Sequence, residues 1–68
     1  MKKSEKTKEK ILNETINLIA KKGYASTSTK EIAKAADISE ATIFKYYGSK
    51  DNLLKTIVIN TIEKLFEN

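Results

Sequence analysis

Cysteine and histidine are both missing from this chain. Without them there is no disulfide staple, most transition-metal sites are ruled out, and so are the commonest nucleophile and the commonest general base. Proline is absent too, so nothing in the sequence forces a helix to break. Arginine is also lacking: all thirteen basic residues are lysines. No apolar run approaches the ~20 residues that span a bilayer, and no apolar segment follows the charged start MKKSEKTKEK as a signal peptide requires. A soluble, cytoplasmic protein with no membrane partner is expected.

What remains is small. Sixty-eight residues make one domain at most, and a chain of that size buries only ~60% of its unfolded surface. The charge is uneven. Residues 1–23 carry seven Lys against three Glu, residues 24–50 four Lys against three acids, and residues 51–68 two Lys against three acids. A basic N-terminal half suits a polyanion such as nucleic acid or an acidic membrane surface, or it is simply a solvated lysine-rich face.

The pattern is helical throughout, with no strand-like alternation, repeat or low-complexity stretch. Residues 1–6 read as a polar, flexible leader. From about Thr7, Ile11, Leu12, Thr15, Ile16, Ile19 and Ala20 recur at three- and four-residue steps, with Thr7 or Ser4 as the cap. Gly23 follows Lys21 and Lys22 and marks the stop, with Tyr24 placed to fold back on Ile19 in a Schellman closure. Ser28-Thr29-Lys30-Glu31 is a capping box that opens a second helix, in which Ile32, Ala33 and Ala36 share one side. Asp37 tolerates the left-handed conformation a tight turn needs, and Ile38 can plug that turn from inside. Ser39 caps a third, two-turn helix that Gly48 ends, and Ser49 caps a fourth.

The expected architecture is therefore all-α, a small helical bundle around a central helix-turn-helix, with helices at about 7–22, 29–36, 40–46 and 50–67. The last of these carries an apolar stripe of Leu53, Leu54, Ile57, Val58, Ile62, Leu65 and Phe66, with Ile59 off it. That is more apolar surface than so small a core needs, so it should meet further material or a second chain.

Two short helices across a tight turn suit a DNA reader in which the segment 39–47 lies in the major groove and the preceding helix braces on the backbone. Ala33, Ala36, Ile38, Ile43 and Phe44 can form the contact between the two helices, and Ile43, Phe44 and Tyr47 are assigned to the core. Glu40, Thr42, Lys45 and Tyr46 form the polar face. Thr27, Ser28, Thr29, Lys30 and Lys50 can flank it as phosphate donors, helped by the N-termini of the second and fourth helices. Lys2, Lys3, Lys6, Lys8 and Lys10 either reach phosphates beside the site or belong to a disordered leader. Glu40 either accepts from a cytosine amino group or serves only as a first-turn acid on the helix dipole.

These residues resemble the N-terminal domain of the tetracycline-repressor (TetR) family of bacterial transcriptional regulators. The resemblance runs without gaps from residue 7 to about 58. It rests on Ile11-Leu12, Gly23-Tyr24, the Thr-rich approach Thr27–Glu31 into Ile32-Ala33, the turn Ala36-Asp37-Ile38-Ser39, and above all the run from Ala41 to Leu53. It implies that Lys30, Ser39, Glu40, Ala41, Thr42 and Lys45 lie near bases or adjacent phosphates, and that Thr29, Tyr46 and Lys50 lie at phosphates. Three positions depart from the family pattern. Asp37 stands for the usual turn Gly. Phe44 stands for Tyr and forgoes a hydroxyl worth ~1 kcal/mol at a phosphate. Tyr47 stands for Phe and adds a hydroxyl that needs a partner.

The resemblance implies an operator-reading domain of a repressor spanning residues 7–68, with an operator half-site as its partner. It also implies a C-terminal domain, beyond this chain, through which the full-length protein dimerises and binds a small-molecule effector. No cofactor and no enzymatic activity are expected, since no Gly-rich phosphate loop or converging carboxylate pair is present. The alternative is a protein-interaction module that docks a partner on the stripe of the fourth helix.

Overall fold

The computed structural model describes residues 3–67; Met1, Lys2 and Asn68 lie outside them. Four helices follow one another: α1 Lys3–Lys22, α2 Thr29–Ala35, α3 Glu40–Tyr47 and α4 Lys50–Phe66. Apart from the start of α1, each boundary falls within about a residue of the expected one, because the caps that set it are local. The Ser28, Ser39 and Ser49 side chains accept from the backbone N–H of Glu31, Thr42 and Asn52 at 3.1, 3.2 and 3.1 Å.

The exception corrects the leader. Residues 3–6 are helical, and Thr7 does not cap: its hydroxyl donates to the Lys3 carbonyl at 3.1 Å, inside the helix. Lys-Ser-Glu-Lys contains no breaker, so polarity alone did not end the helix. The stop of α1 also differs in detail. Gly23, at φ 85°, donates its N–H to the Ile19 carbonyl at 2.8 Å, a single-bond left-handed closure rather than a Schellman motif.

The full Schellman motif sits instead at the end of α2. Ile38 N–H donates to the Ala33 carbonyl at 2.9 Å and Asp37 N–H to the Lys34 carbonyl at 3.2 Å. Asp37 takes the left-handed position at φ 57°. An L-residue is strained there, and a carboxylate also opposes the negative end of the helix dipole. Asp37→Gly should therefore stabilise the fold by about 0.5–1 kcal/mol, raising the thermal midpoint by roughly 3–6 °C in a circular dichroism melt. A lowered midpoint would mean the Asp37 side chain makes a contribution of its own.

All four helices meet in one core of Ile11, Ile32, Ala33, Ile43, Tyr47 and Leu53, with Leu12, Leu18, Ile38 and Tyr46 packed around it. Ala36 is also buried, and the small Ala33 and Ala36 let α3 cross α2 closely. On α1 the buried arc runs through Ile11, Thr15 and Leu18 rather than toward Ile16 and Ala20, which are exposed. Steps of four and three keep 11, 15 and 18 nearly in line, whereas 16 and 20 rotate outward. Thr15 satisfies its hydroxyl on the Ile11 carbonyl at 2.7 Å.

Two polar ties fix α3 in this frame. Asn52 Nδ2 reaches back from α4 to the Tyr47 carbonyl at 2.6 Å, and the Tyr47 hydroxyl makes a long bond to the Lys8 carbonyl at 3.4 Å. That hydroxyl has thus found its partner, and burial pushes its pKa up.

Candidate nucleic-acid interface

Between α2 and α3 run four residues, Ala36 to Ser39, and they bring the N-termini of both helices together. The proof is one bond: Thr29 Oγ1, at the start of α2, donates to Glu40 Oε2, at the start of α3, over 2.7 Å. Two helix N-termini side by side, the second leading, is the geometry a helix-turn-helix needs to brace on a backbone and enter a groove.

The face that α3 turns outward is not quite the one the sequence suggested. Ile43 and Tyr47, one turn apart, define its buried side. At ~100° per residue, Ala41, Thr42 and Lys45 then point away, Phe44 and Tyr46 flank the buried side on opposite edges, and Glu40 lies close to it. In the fold Ala41, Phe44 and Lys45 are exposed, and Glu40, Thr42 and Tyr46 partly so. Phe44, assigned above to the core and to the contact with α2, is 44% exposed. Tyr46, assigned to the polar face, leans on the core at its periphery. The angle alone leaves Phe44 and Tyr46 on equal footing, and the packing around α3, which covers Tyr46 and not Phe44, decides between them.

Thr27 is the other correction. It is 1% exposed, and its hydroxyl donates to the Gly23 carbonyl at 2.8 Å, so it holds the loop before α2 and has no donor for a phosphate. Ser28 and Ser39 cap their helices but stay exposed. Ser39 Oγ also shares a hydrogen bond with Thr42 Oγ1 at 2.9 Å, which pre-orients both hydroxyls at the leading end of α3. Lys30 is exposed on the first turn of α2.

Three cations are placed by aromatic rings. Lys50 Nζ lies 4.2 Å from the centre of the Tyr24 ring, while the Tyr24 hydroxyl donates to the Asp51 carboxylate. That hydrogen bond holds the Tyr24 phenol above its usual pKa, with smaller contributions from desolvation and the Asp51 charge. Tyr24 therefore braces the first turn of α4. Lys8 and Lys45 lie 5.5 and 5.8 Å from the Tyr46 ring centre, so α1 contributes a cation beside α3. Of the α1 lysines named above, only Lys8 is tied to α3 in this way among the described residues; Lys3, Lys6 and Lys10 are exposed on α1 and Lys2 lies outside them. Nothing in the sequence marked Tyr24 as a partner for Lys50, since the two are brought together only by folding.

A further pair steadies the approach to α2. Lys22 Nζ and Glu31 Oε2 meet at 2.5 Å, and the Lys22 ammonium, with lesser help from Ser28 and against some desolvation, lowers the Glu31 pKa. The sign is that of a depressed carboxylate: its stabilisation is present above the ordinary Glu range and fades as pH falls through the lowered value. Being solvent-exposed, the pair contributes little.

Among the described residues there is no group of side chains that could hold a metal ion, and no helix is long and apolar enough to cross a membrane.

Residues 11–57 match the family described as bacterial regulatory proteins, tetR family. An uncharacterized HTH-type transcriptional regulator of Bacillus subtilis, YvkB, is 44% identical over 52 residues, covering 76% of this chain and 28% of that protein. A second from B. subtilis, YuxN, is 44% identical over 62 residues, covering 90% of this chain and 21% of that protein. The biofilm operon icaADBC HTH-type negative transcriptional regulator IcaR of Staphylococcus epidermidis is 32% identical over 53 residues, covering 78% and 29%. The chain thus spans about a quarter of the length of the curated relatives it matches. No solved structure matches.

Proposed function

Because the chain belongs to the TetR family of bacterial regulatory proteins, we propose that it reads double-stranded DNA by laying α3 in the major groove, as the operator-binding domain of a transcriptional repressor. The observation that carries the reading is the open face of α3. A helix anchored by Ile43 and Tyr47 presents Ala41, Phe44 and Lys45 outward, with Glu40 and Thr42 beside them. A B-DNA major groove ~12 Å wide admits such a helix. Thr42, Phe44 and Ala41 offer apolar contact to thymine methyls, Lys45 a donor, and Glu40 an acceptor. Lys30, Lys50, Thr29 and the hydroxyls of Ser28, Ser39 and Tyr46 are assigned to phosphates, and Lys8 joins them at the far end of α3. Phe44 has no hydroxyl for a phosphate, so its contact with DNA is apolar.

The exposed half of α4, where Leu65 and Phe66 are 74% and 84% exposed, is assigned to contact with the rest of a longer, dimeric protein whose effector site lies elsewhere. A cytoplasmic, non-enzymatic role follows from the same reading.

The test is a fluorescence anisotropy titration of a labelled duplex across a salt series. The isolated chain should bind weakly, in the ~10⁻⁴–10⁻⁶ M range, with log K falling against log salt at a slope of about −3 to −4 for three to four neutralised phosphates. Tight binding that ignores salt, or no binding at low salt, would remove the proposal.

A further inference from the structure

In the free protein Thr29 and Glu40 satisfy each other. The partly buried bond uses the one hydrogen the Thr29 hydroxyl has to give, and supplies Glu40 Oε2 with a donor at 2.7 Å. A phosphate accepts hydrogen bonds and donates none. If Thr29 turns its hydroxyl to a phosphate oxygen, Glu40 loses its donor just as it is carried toward a polyanion, and an unpartnered carboxylate there is costly. Only the DNA itself can restore the balance.

The donors exposed in a major groove are the amino groups of cytosine and adenine. Adenine sets its N7 acceptor beside that amino group, so a carboxylate meets a lone pair as well as a donor. Guanine O6 and N7 and thymine O4 are acceptors and face Glu40 oxygen or nitrogen to oxygen. Cytosine alone offers the amino group without a competing major-groove acceptor on the same base.

We propose that Thr29 and Glu40 form an exchangeable latch, in which Thr29 becomes free to hold a phosphate only where a cytosine amino group takes its place on Glu40. The inference rests on α3 entering the major groove as proposed above. It makes Glu40 a specificity-determining residue that acts chiefly by penalising duplexes without that cytosine, which is how a like charge earns a place on a DNA-facing surface. Thr29 is then more than a phosphate contact, because its availability depends on the base beneath its neighbour.

The experiment is selection from a pool of random-sequence duplexes with the unmodified chain, followed by anisotropy on the enriched duplex and its single-base variants. Wild type, Glu40→Gln and Thr29→Val are compared, the first variant keeping the shape of the side chain and the second its volume. The latch predicts one position fixed as cytosine, whose replacement weakens wild type by about tenfold or more. In Glu40→Gln the same replacement costs less than about threefold, and affinity for unrelated duplexes rises several-fold as a negative charge leaves the surface. Thr29→Val weakens binding to the cytosine-bearing duplex a few-fold and leaves unrelated duplexes nearly unchanged, since there the Thr29 hydroxyl stays on Glu40; equal weakening on all duplexes overturns the latch. A motif without a fixed cytosine, or a Glu40→Gln variant that retains the full preference, overturns the latch and leaves DNA reading standing. If wild type neither enriches a motif nor binds, the DNA reading falls and the latch with it.

Discussion

Replacing Ile43 with alanine should leave the chain largely unfolded at 25 °C. Ile43 is fully buried at the point where α3 meets the rest of the core. Removing its outer carbons costs the lost transfer energy plus a cavity, together ~2–5 kcal/mol. A single core in a chain this short rarely provides more than about 3–5 kcal/mol in all. The two figures are comparable, so the variant has little left. Far-UV circular dichroism with a urea titration reads the outcome: a flattened or missing transition for Ile43→Ala. Ile59→Ala, 54% exposed on α4, should stay within about 0.5 kcal/mol of the parent. A cooperative Ile43→Ala transition near that of the parent would mean that α3 is not held as described.

The second large effect concerns binding. Lys45→Ala and Lys50→Ala should each weaken DNA binding by about tenfold, Lys50→Ala uniformly across sequences with a salt slope lower by about one unit, and Lys45→Ala with relaxed specificity at the base it faces. Together they should cost about a hundredfold, since the two ammonium groups rest on different rings, Tyr46 and Tyr24, and share no partner. Lys64→Ala, in the last turn of α4, removes the same charge and should change affinity far less. If all three variants behave alike, the positive charge acts only as a diffuse field and α3 has no special standing. Folding of each variant is checked by its thermal midpoint.

The parts of this fold that rest on short-range chemistry were legible in the chain. Ser28, Ser39 and Ser49 announce helix starts because a cap needs only its own N–H neighbours two or three residues on. Asp37 could be placed in a left-handed turn because few other residues accept one there. Ile43 and Tyr47 were assigned to the core and are buried there. Less legible was anything that depended on which direction the core lay. Phe44 looks like core by composition, yet what packs around α3 covers Tyr46 and leaves Phe44 at the solvent. Leu18 on α1, which the periodic reading passed over, packs inward while Ile16 faces out, because α2 and α4 settle where α1 has its back. Thr27 resembled a phosphate donor and turned out to be a buried strut of the loop.

The candidate surface divides the same way. Its membership by segment was readable, since Lys30, Glu40, Thr42, Lys45 and Lys50 all fall on or beside a helix-turn-helix written in local signals. The contacts that shape it were not. Thr29 with Glu40, Lys50 with Tyr24, Tyr24 with Asp51 and Lys8 with Tyr46 join residues 11, 26, 27 and 38 positions apart. No propensity or periodicity reaches that far along a chain. By itself the sequence determined four helices, the serine caps of the last three, the tight turn and the family. The tertiary structure alone decided which face of α3 is open, which cations are held, and that the one acid on that face is tied to a threonine. Caps and turns are settled by backbone groups a few residues apart, whereas the facing of a helix is settled by what packs behind it.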